Sequence, residues 1–231
     1  MIGIIGAMDS EIKSLCSELT DAEEININNL TFYKGKIYSK DVVIVKSGIG
    51  KVNAALCTQT LIMNFDISGV LNTGIAGATG EGLHIFDFVI SSNAVYHDVD
   101  VQVFGYKIGQ LPGLEQKFVA DEKLVEKAQT AFKNSSFSSK HESKLGLIAS
   151  GDQFISSKEK KDFIKNEFNP LCVEMEGAAI AQTCTILKTP FVIIRCMSDC
   201  ADEGEKTTYS FNENEAANMS AEIVKKFIQL S

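Results

Sequence analysis

The sequence has no tryptophan, three prolines and, among its 22 basic residues, one arginine, Arg195. With so few prolines and no Pro/Gly-rich stretch, nothing marks an interdomain linker. No apolar run approaches the roughly 18 residues of a membrane-spanning helix. The apolar stretch Met1–Met8 is short, has no basic residue before it and meets Asp9 at once, which excludes a secretion signal and reads as a buried strand. The six cysteines, Cys16, Cys57, Cys172, Cys184, Cys196 and Cys200, contain no Cys-x-x-Cys pair, and His84, His97 and His141 are not at ligand spacing with them. Reduced core thiols in a cytoplasmic protein, with no metal and no cofactor, are the expectation. The net charge of -8 with one guanidinium excludes nucleic acid and anionic membrane as partners, since both require clustered positive charge. It also removes the planar fork by which proteins usually grip phosphate.

What is present is the balance of an ordinary folded chain: 231 residues, 45% hydrophobic and 23% charged. Short β-branched runs alternate with helical periods. Ile2–Gly6, Ile67–Asn72, Phe86–Val95, Leu145–Ser150 and Phe191–Met197 read as strands, and Thr31–Tyr38 with Asp41–Lys46 as a hairpin. Asp9–Leu19, Lys51–Phe65, Asp121–Phe132, Ser157–Phe168, Met175–Leu187 and Asn212–Leu230 read as helices, the first capped by Asp9 or Ser10. His97–Gly113, rich in aromatics and glycine and without period, reads as a long functional loop. This alternation predicts one α/β domain over residues 1–231, with helices on both faces of a sheet. Ligands in such sheets sit beyond the carboxyl ends of strands.

Four polar clusters follow strand ends: Met8-Asp9-Ser10-Glu11, Thr73-Gly74-Ile75-Ala76-Gly77, Val173-Glu174-Met175-Glu176-Gly177 and Arg195-Cys196-Met197-Ser198-Asp199. Each has an ordinary structural reading. Glu11 suits a helix N-terminus, Gly74 and Gly77 a tight turn, and Asp199 a helix cap. Gly3 and Gly6 lack the spacing of a dinucleotide fingerprint. Glu174 and Glu176 stand out, because acids rarely enter an apolar context without a partner.

Taken in order, these clusters resemble the nucleoside phosphorylase/hydrolase superfamily, most closely the bacterial 5′-methylthioadenosine/S-adenosylhomocysteine nucleosidases. The matching stretches are Ile2–Met8 with Glu11, Ser47–Val52, Asn72-Thr73-Gly74, Tyr96–Asp100, Phe104-Gly105-Tyr106 with Gly109–Pro112, Ser150–Ile155, Val173–Ala178 and Ser198-Asp199. The resemblance covers nearly the whole chain. It implies a three-layer α/β/α sandwich with a central mixed sheet, and hydrolysis of the N-glycosidic bond of adenosine thioethers, and of 5′-deoxyadenosine, through a cationic, oxocarbenium-like sugar.

The same resemblance assigns roles. Asp199 is the expected general acid at purine N7, oriented by Ser198. Glu11 activates water, and Arg195 holds that water or Glu11. Glu176 grips the ribose hydroxyls, Met8 and Met175 pack on the sugar, Phe154 stacks on adenine and the Ile155 backbone reads its edge. Ile49, Val101, Phe104, Tyr106, Pro112 and Phe211 surround the apolar 5′ group, with Val101–Pro112 supplied by the neighbouring subunit of a homodimer. Ile75 departs from the pattern, since many relatives carry a serine there, near the sugar. His97 is expected to orient the loop. Competing expectations are a purine nucleoside phosphorylase using phosphate, which the single arginine disfavours, an aminofutalosine nucleosidase, and a non-catalytic binding protein, which would be expected to have lost one of the acids.

Overall fold

The computed structural model describes residues 1–201 and 205–231, residues 205–211 by backbone alone. The elements in chain order are β1 (Ile2–Gly6), α1 (Asp9–Cys16), β2 (Thr20–Ile27), β3 (Leu30–Ile37), β4 (Lys40–Lys46), α2 (Lys51–Asn64), β5 (Gly69–Ala78), β6 (Phe88–Tyr96) and β7 (Phe118–Val119). They continue with α3 (Glu122–Lys133), β8 (Ser143–Ser150), α4 (Lys158–Phe168), β9 (Cys172–Glu174), α5 (Gly177–Ile186), β10 (Phe191–Asp199) and α6 (Glu205–Gln229).

The architecture is mixed α/β, with a central mixed sheet and helices on both sides. The strands run in the order β10-β6-β8-β9-β5-β1-β4-β3-β2, and β10 also pairs with β5. Five strands therefore close into a ring, while β1, β4, β3 and β2 extend from it. Closure leaves β5 and β10 without a free edge, and both are buried along their whole length. Five of the six helices fall into two packed groups, α1 and α3 against α6, and α2 against α5. β1, β4, β5 and β10 are mutually parallel through their shared pairings, so their carboxyl ends gather at one end of the sheet.

The periodic segments form their predicted elements with shifted ends, the last helix beginning at Glu205 and not at Asn212. Asp121 accepts the Leu124 amide at 3.0 Å and Ser157 the Lys160 amide at 3.3 Å, each at the start of its helix. Three readings are corrected. The first helix is capped by neither Asp9 nor Ser10. Met8 takes the cap position, the Asp9 carboxylate pairs with Lys46 at 2.8 Å, and the Ser10 hydroxyl donates to Glu213. The glycines Gly74 and Gly77 make no turn but continue β5 to Ala78. The segment Met175–Leu187 becomes helical only at Gly177, leaving Met175 and Glu176 in the connection. Three strands carry no sequence signal: β2 is acidic and mostly exposed at the sheet edge, and β7 and β9 are too short for a period.

Candidate active site

Where the carboxyl ends of β1, β5 and β10 meet the start of α5, they form an open cleft of about 80 Å³. Its walls are Ala7, Met8, Ile49, Ile75, Ala76, Gly77, Phe154, Val173 and Met175, and its polar groups are Glu11, Glu174, Glu176, Ser198 and Asp199.

Glu11 is three residues into α1, and its side chain turns back over the helix start. Its Oε2 accepts the amides of Ala7 (2.6 Å) and Met8 (3.0 Å), and its Oε1 accepts the Ile75 amide of β5 (3.1 Å). The capping role and the placement in the cleft are thus one arrangement. Gly74 is what permits it, since a Cβ there would lie 2.3 Å from Glu11 Oε1. Glu11 is 4% exposed. Burial pushes its carboxyl above the ordinary range, against the opposing pull of Arg195 and of the three amides.

Asp199 ends β10. Its Oδ2 accepts the Ser198 hydroxyl at 2.8 Å and its Oδ1 the Ala201 amide at 2.9 Å. The pairing of β10 with β5 slips here, from Met197 opposite Ala76 to Asp199 opposite Gly77. That bulge lets two consecutive residues, Ser198 and Asp199, both line the cleft, where a regular strand would send them to opposite faces.

Glu176, 6% exposed, accepts the Gly50 amide at 2.8 Å. Burial raises its pKa, and the neighbouring Glu174 charge adds to the shift, to about 8. Arg195 lies behind the cleft, 2% exposed, and donates to Asn72 at 2.6 Å and to Glu174. Burial alone would lower its pKa, but Glu174, Glu11 and Glu176 reverse the effect and hold it up. Lys51, at the start of α2, pairs with Asp98 at 2.7 Å and Asp152 at 3.8 Å. Each of these two cations is thereby matched by carboxylates of the chain itself.

Of the residues singled out by sequence, Met8, Glu11, Ile49, Ile75, Phe154, Met175, Glu176, Ser198 and Asp199 line the cleft together. Ile155 lines an adjoining recess shared with Phe154 and Asp199. The loop residues Val101, Phe104, Tyr106 and Pro112 do not line the cleft of their own chain. The Phe211 side chain lies outside the described residues. Glu174, Asn72 and Ser150 are the additions. Glu174 carried a signal of its own, as an acid among apolar neighbours, while Asn72 and Ser150 stood only within the family-matching stretches, without a role. His97 is buried behind the cleft, its amide on the Ser150 carbonyl at 2.9 Å, and burial lowers its pKa. Among the described residues no group of three His, Cys, Asp or Glu is arranged to hold a metal, and no helix is long and apolar enough to cross a membrane.

The family model described as "Phosphorylase superfamily" matches residues 1–229. A 5′-methylthioadenosine/S-adenosylhomocysteine nucleosidase of Staphylococcus haemolyticus is 44% identical over 233 aligned positions, covering 100% of both chains. The crystal structure of a Neisseria meningitidis nucleosidase of the same name, in complex with methylthio-immucillin-A, superposes with a TM-score of 0.95 at 41% identity, covering 100% of this chain and 99% of that one. A futalosine hydrolase of Helicobacter pylori superposes with a TM-score of 0.94 at 34% identity, covering 100% of this chain and 99% of that one.

Proposed function

The chain belongs to the phosphorylase superfamily and, within it, groups with the 5′-methylthioadenosine/S-adenosylhomocysteine nucleosidases, and on that premise we propose how its cleft cleaves an N-glycosidic bond. Substrates are 5′-methylthioadenosine, S-adenosylhomocysteine and 5′-deoxyadenosine, cut to adenine and the 5′-substituted ribose. The observation that carries this reading is the convergence of Glu11 from α1, Glu176 from the β9–α5 connection and Asp199 from β10 on one mostly apolar cleft.

In the reaction the bond between C1′ and N9 breaks, leaving positive charge on the ribose and electrons on the purine. Asp199 gives a proton to N7, so that the leaving group departs neutral, and Ser198 fixes the carboxyl that delivers it. Water adds to C1′ and loses its proton to Glu11, whose three amide contacts hold the carboxylate still. Glu176 takes the ribose 2′- and 3′-hydroxyls, its carboxyl group lying on the ligand side of the cleft. Met8 and Met175 pack on the sugar, while Phe154 and Ile155 hold the base. Ile75 supplies only its amide, to Glu11, and an apolar wall.

Water, rather than phosphate, fits the cation arrangement. Arg195 is held by Glu174, and Lys51 by Asp98 and Asp152. A second copy of the chain completes the 5′ pocket with Val101, Phe104, Tyr106 and Pro112; Val103 and Phe104, 87% and 74% exposed, support this reading. Phe211 belongs to the same pocket. The family match along residues 1–229 supports a single domain, and six free cysteines suit a reducing cytoplasm. The likeness to a futalosine hydrolase favours a second reading, an aminofutalosine-type substrate with the same adenine and ribose.

The test is a comparison of kcat/KM for 5′-methylthioadenosine, S-adenosylhomocysteine, 5′-deoxyadenosine and aminofutalosine, with and without phosphate. The expected outcome is release of adenine and free 5′-substituted ribose at rates that phosphate leaves unchanged. A strict phosphate requirement, or a sugar phosphate as product, would overturn the hydrolytic reading. Cleavage of aminofutalosine alone would replace the substrate.

A further inference from the structure

We infer that Glu174, to which the scheme above gives no task beyond holding Arg195, is a positioning residue that keeps the Glu176 carboxyl group turned into the cleft. The inference deepens that scheme and rests on its assignment of the ribose hydroxyls to Glu176.

Glu176 occupies the cap position of α5, where an acidic side chain ordinarily folds onto the first free amides of its own helix. Here those amides are already taken. Gly177 N donates to both Glu174 oxygens, at 3.0 and 2.8 Å, and Glu176 N donates to Glu174 Oε2 at 3.2 Å. Ala178 N donates to Ser150 Oγ at 2.7 Å, and that hydroxyl donates in turn to Glu174 Oε1. Glu176 makes no side-chain bond to its own helix and accepts the Gly50 amide of the opposite wall instead. An acid two residues upstream therefore does the capping, and the acid at the cap is released to the ligand side.

Glu174 is also the anchor of Arg195, whose guanidinium is fixed between it and Asn72. Its two oxygens receive hydrogen bonds from Ser150, Glu176 N, Gly177 N and Arg195, and its side chain is 3% exposed. With its acceptor sites so filled, the carboxylate acts through its neighbours and not on a ligand. A glutamine in its place would present N–H donors to groups that are themselves donors, and the freed α5 amides would then compete with the ligand for Glu176.

The experiment is a double-mutant cycle of Glu174→Gln and Glu176→Gln in the full chain, read by kcat/KM on 5′-methylthioadenosine and by Kd for free adenine. Glu174→Gln is expected to lower kcat/KM by about 10–100-fold, the scale of one hydrogen bond to a charged group, and to leave adenine affinity within about twofold. In the Glu176→Gln background the same change is expected to cost less than about threefold, because the residue through which it acts is already altered. Full retention of kcat/KM in Glu174→Gln, an equal loss in both backgrounds, or a matching loss of adenine affinity would overturn the positioning role. Should Glu174→Gln not fold, Ser150→Ala removes a single hydroxyl from the same cap. The same non-additive pattern is then expected at roughly 3–10-fold, and an additive one overturns the role. The wild-type control separates the two readings. A wild type that cleaves none of the nucleosides refutes the proposed reaction, whereas an active wild type with additive variants refutes only the positioning of Glu176 by Glu174.

Discussion

Glu11, Glu174 and Glu176 act on the single guanidinium of Arg195, so the cluster holds more negative charge than its one cation balances. The excess is felt most clearly at Glu176, which burial and Glu174 push to about 8 from an ordinary carboxyl value of 4.5. The sign of the consequence for stability follows from proton counts. Between those two values the folded chain binds the Glu176 proton and the unfolded chain does not, so stability falls as pH rises through the interval and is lowest above it. Glu176→Gln, an uncharged isostere, is expected to flatten that decline. Thermal unfolding of both proteins from about pH 5 to about pH 8 checks it, and parallel curves would mean that Glu176 does not carry the excess charge. At this scale Glu11 and Asp199 were legible in the sequence as acids following strands. The role of Glu174 was not, because its partner Arg195 is on another strand and no local pattern links the two.

Among the elements, β5 shows most plainly why local reading falls short. Its glycines looked like a turn, yet Gly74 stays in the strand because its missing side chain leaves room for a carboxylate from α1. The cause is non-local, and a sequence window does not contain it. Gly74→Ala is therefore expected to keep the sheet, read by far-ultraviolet circular dichroism, while displacing Glu11 from the Ile75 amide. Loss of a positioned base predicts a fall in kcat of about 100-fold or more, and unimpaired cleavage would contradict the arrangement. Elements whose cause is local were legible. The β3–β4 hairpin followed its alternation, and α3 and α4 began where Asp121 and Ser157 cap them. The edge strand β2 was not, because its first five residues are exposed and mostly acidic, its alternation is confined to Ile25–Ile27, and its place is set by pairing with β3.

For the molecule as a whole, the prominent surface feature is apolar. Val52 and Leu56 on α2, Val103 and Phe104 on the loop, and Val119 and Ile186 beyond it are all exposed. Val52 also borders a groove between α2, α5 and the loop residues Val99 and Leu111. On the proposed dimeric site, Phe104→Asp is expected to sediment as a monomer and to bind thioether substrates more weakly, while free adenine, assigned to the chain's own cleft, binds as before. A monomeric variant with undiminished kcat/KM would show that one chain suffices. The burial of Arg195 has a practical corollary as well. A protease that cuts only after arginine has a single target in these 231 residues, and it lies in β10, the strand that closes the ring between β5 and β6. The peptide bond there becomes available only when the ring itself opens, so one cut, yielding fragments 1–195 and 196–231, is a label-free clock for the rarest and largest excursion this molecule makes.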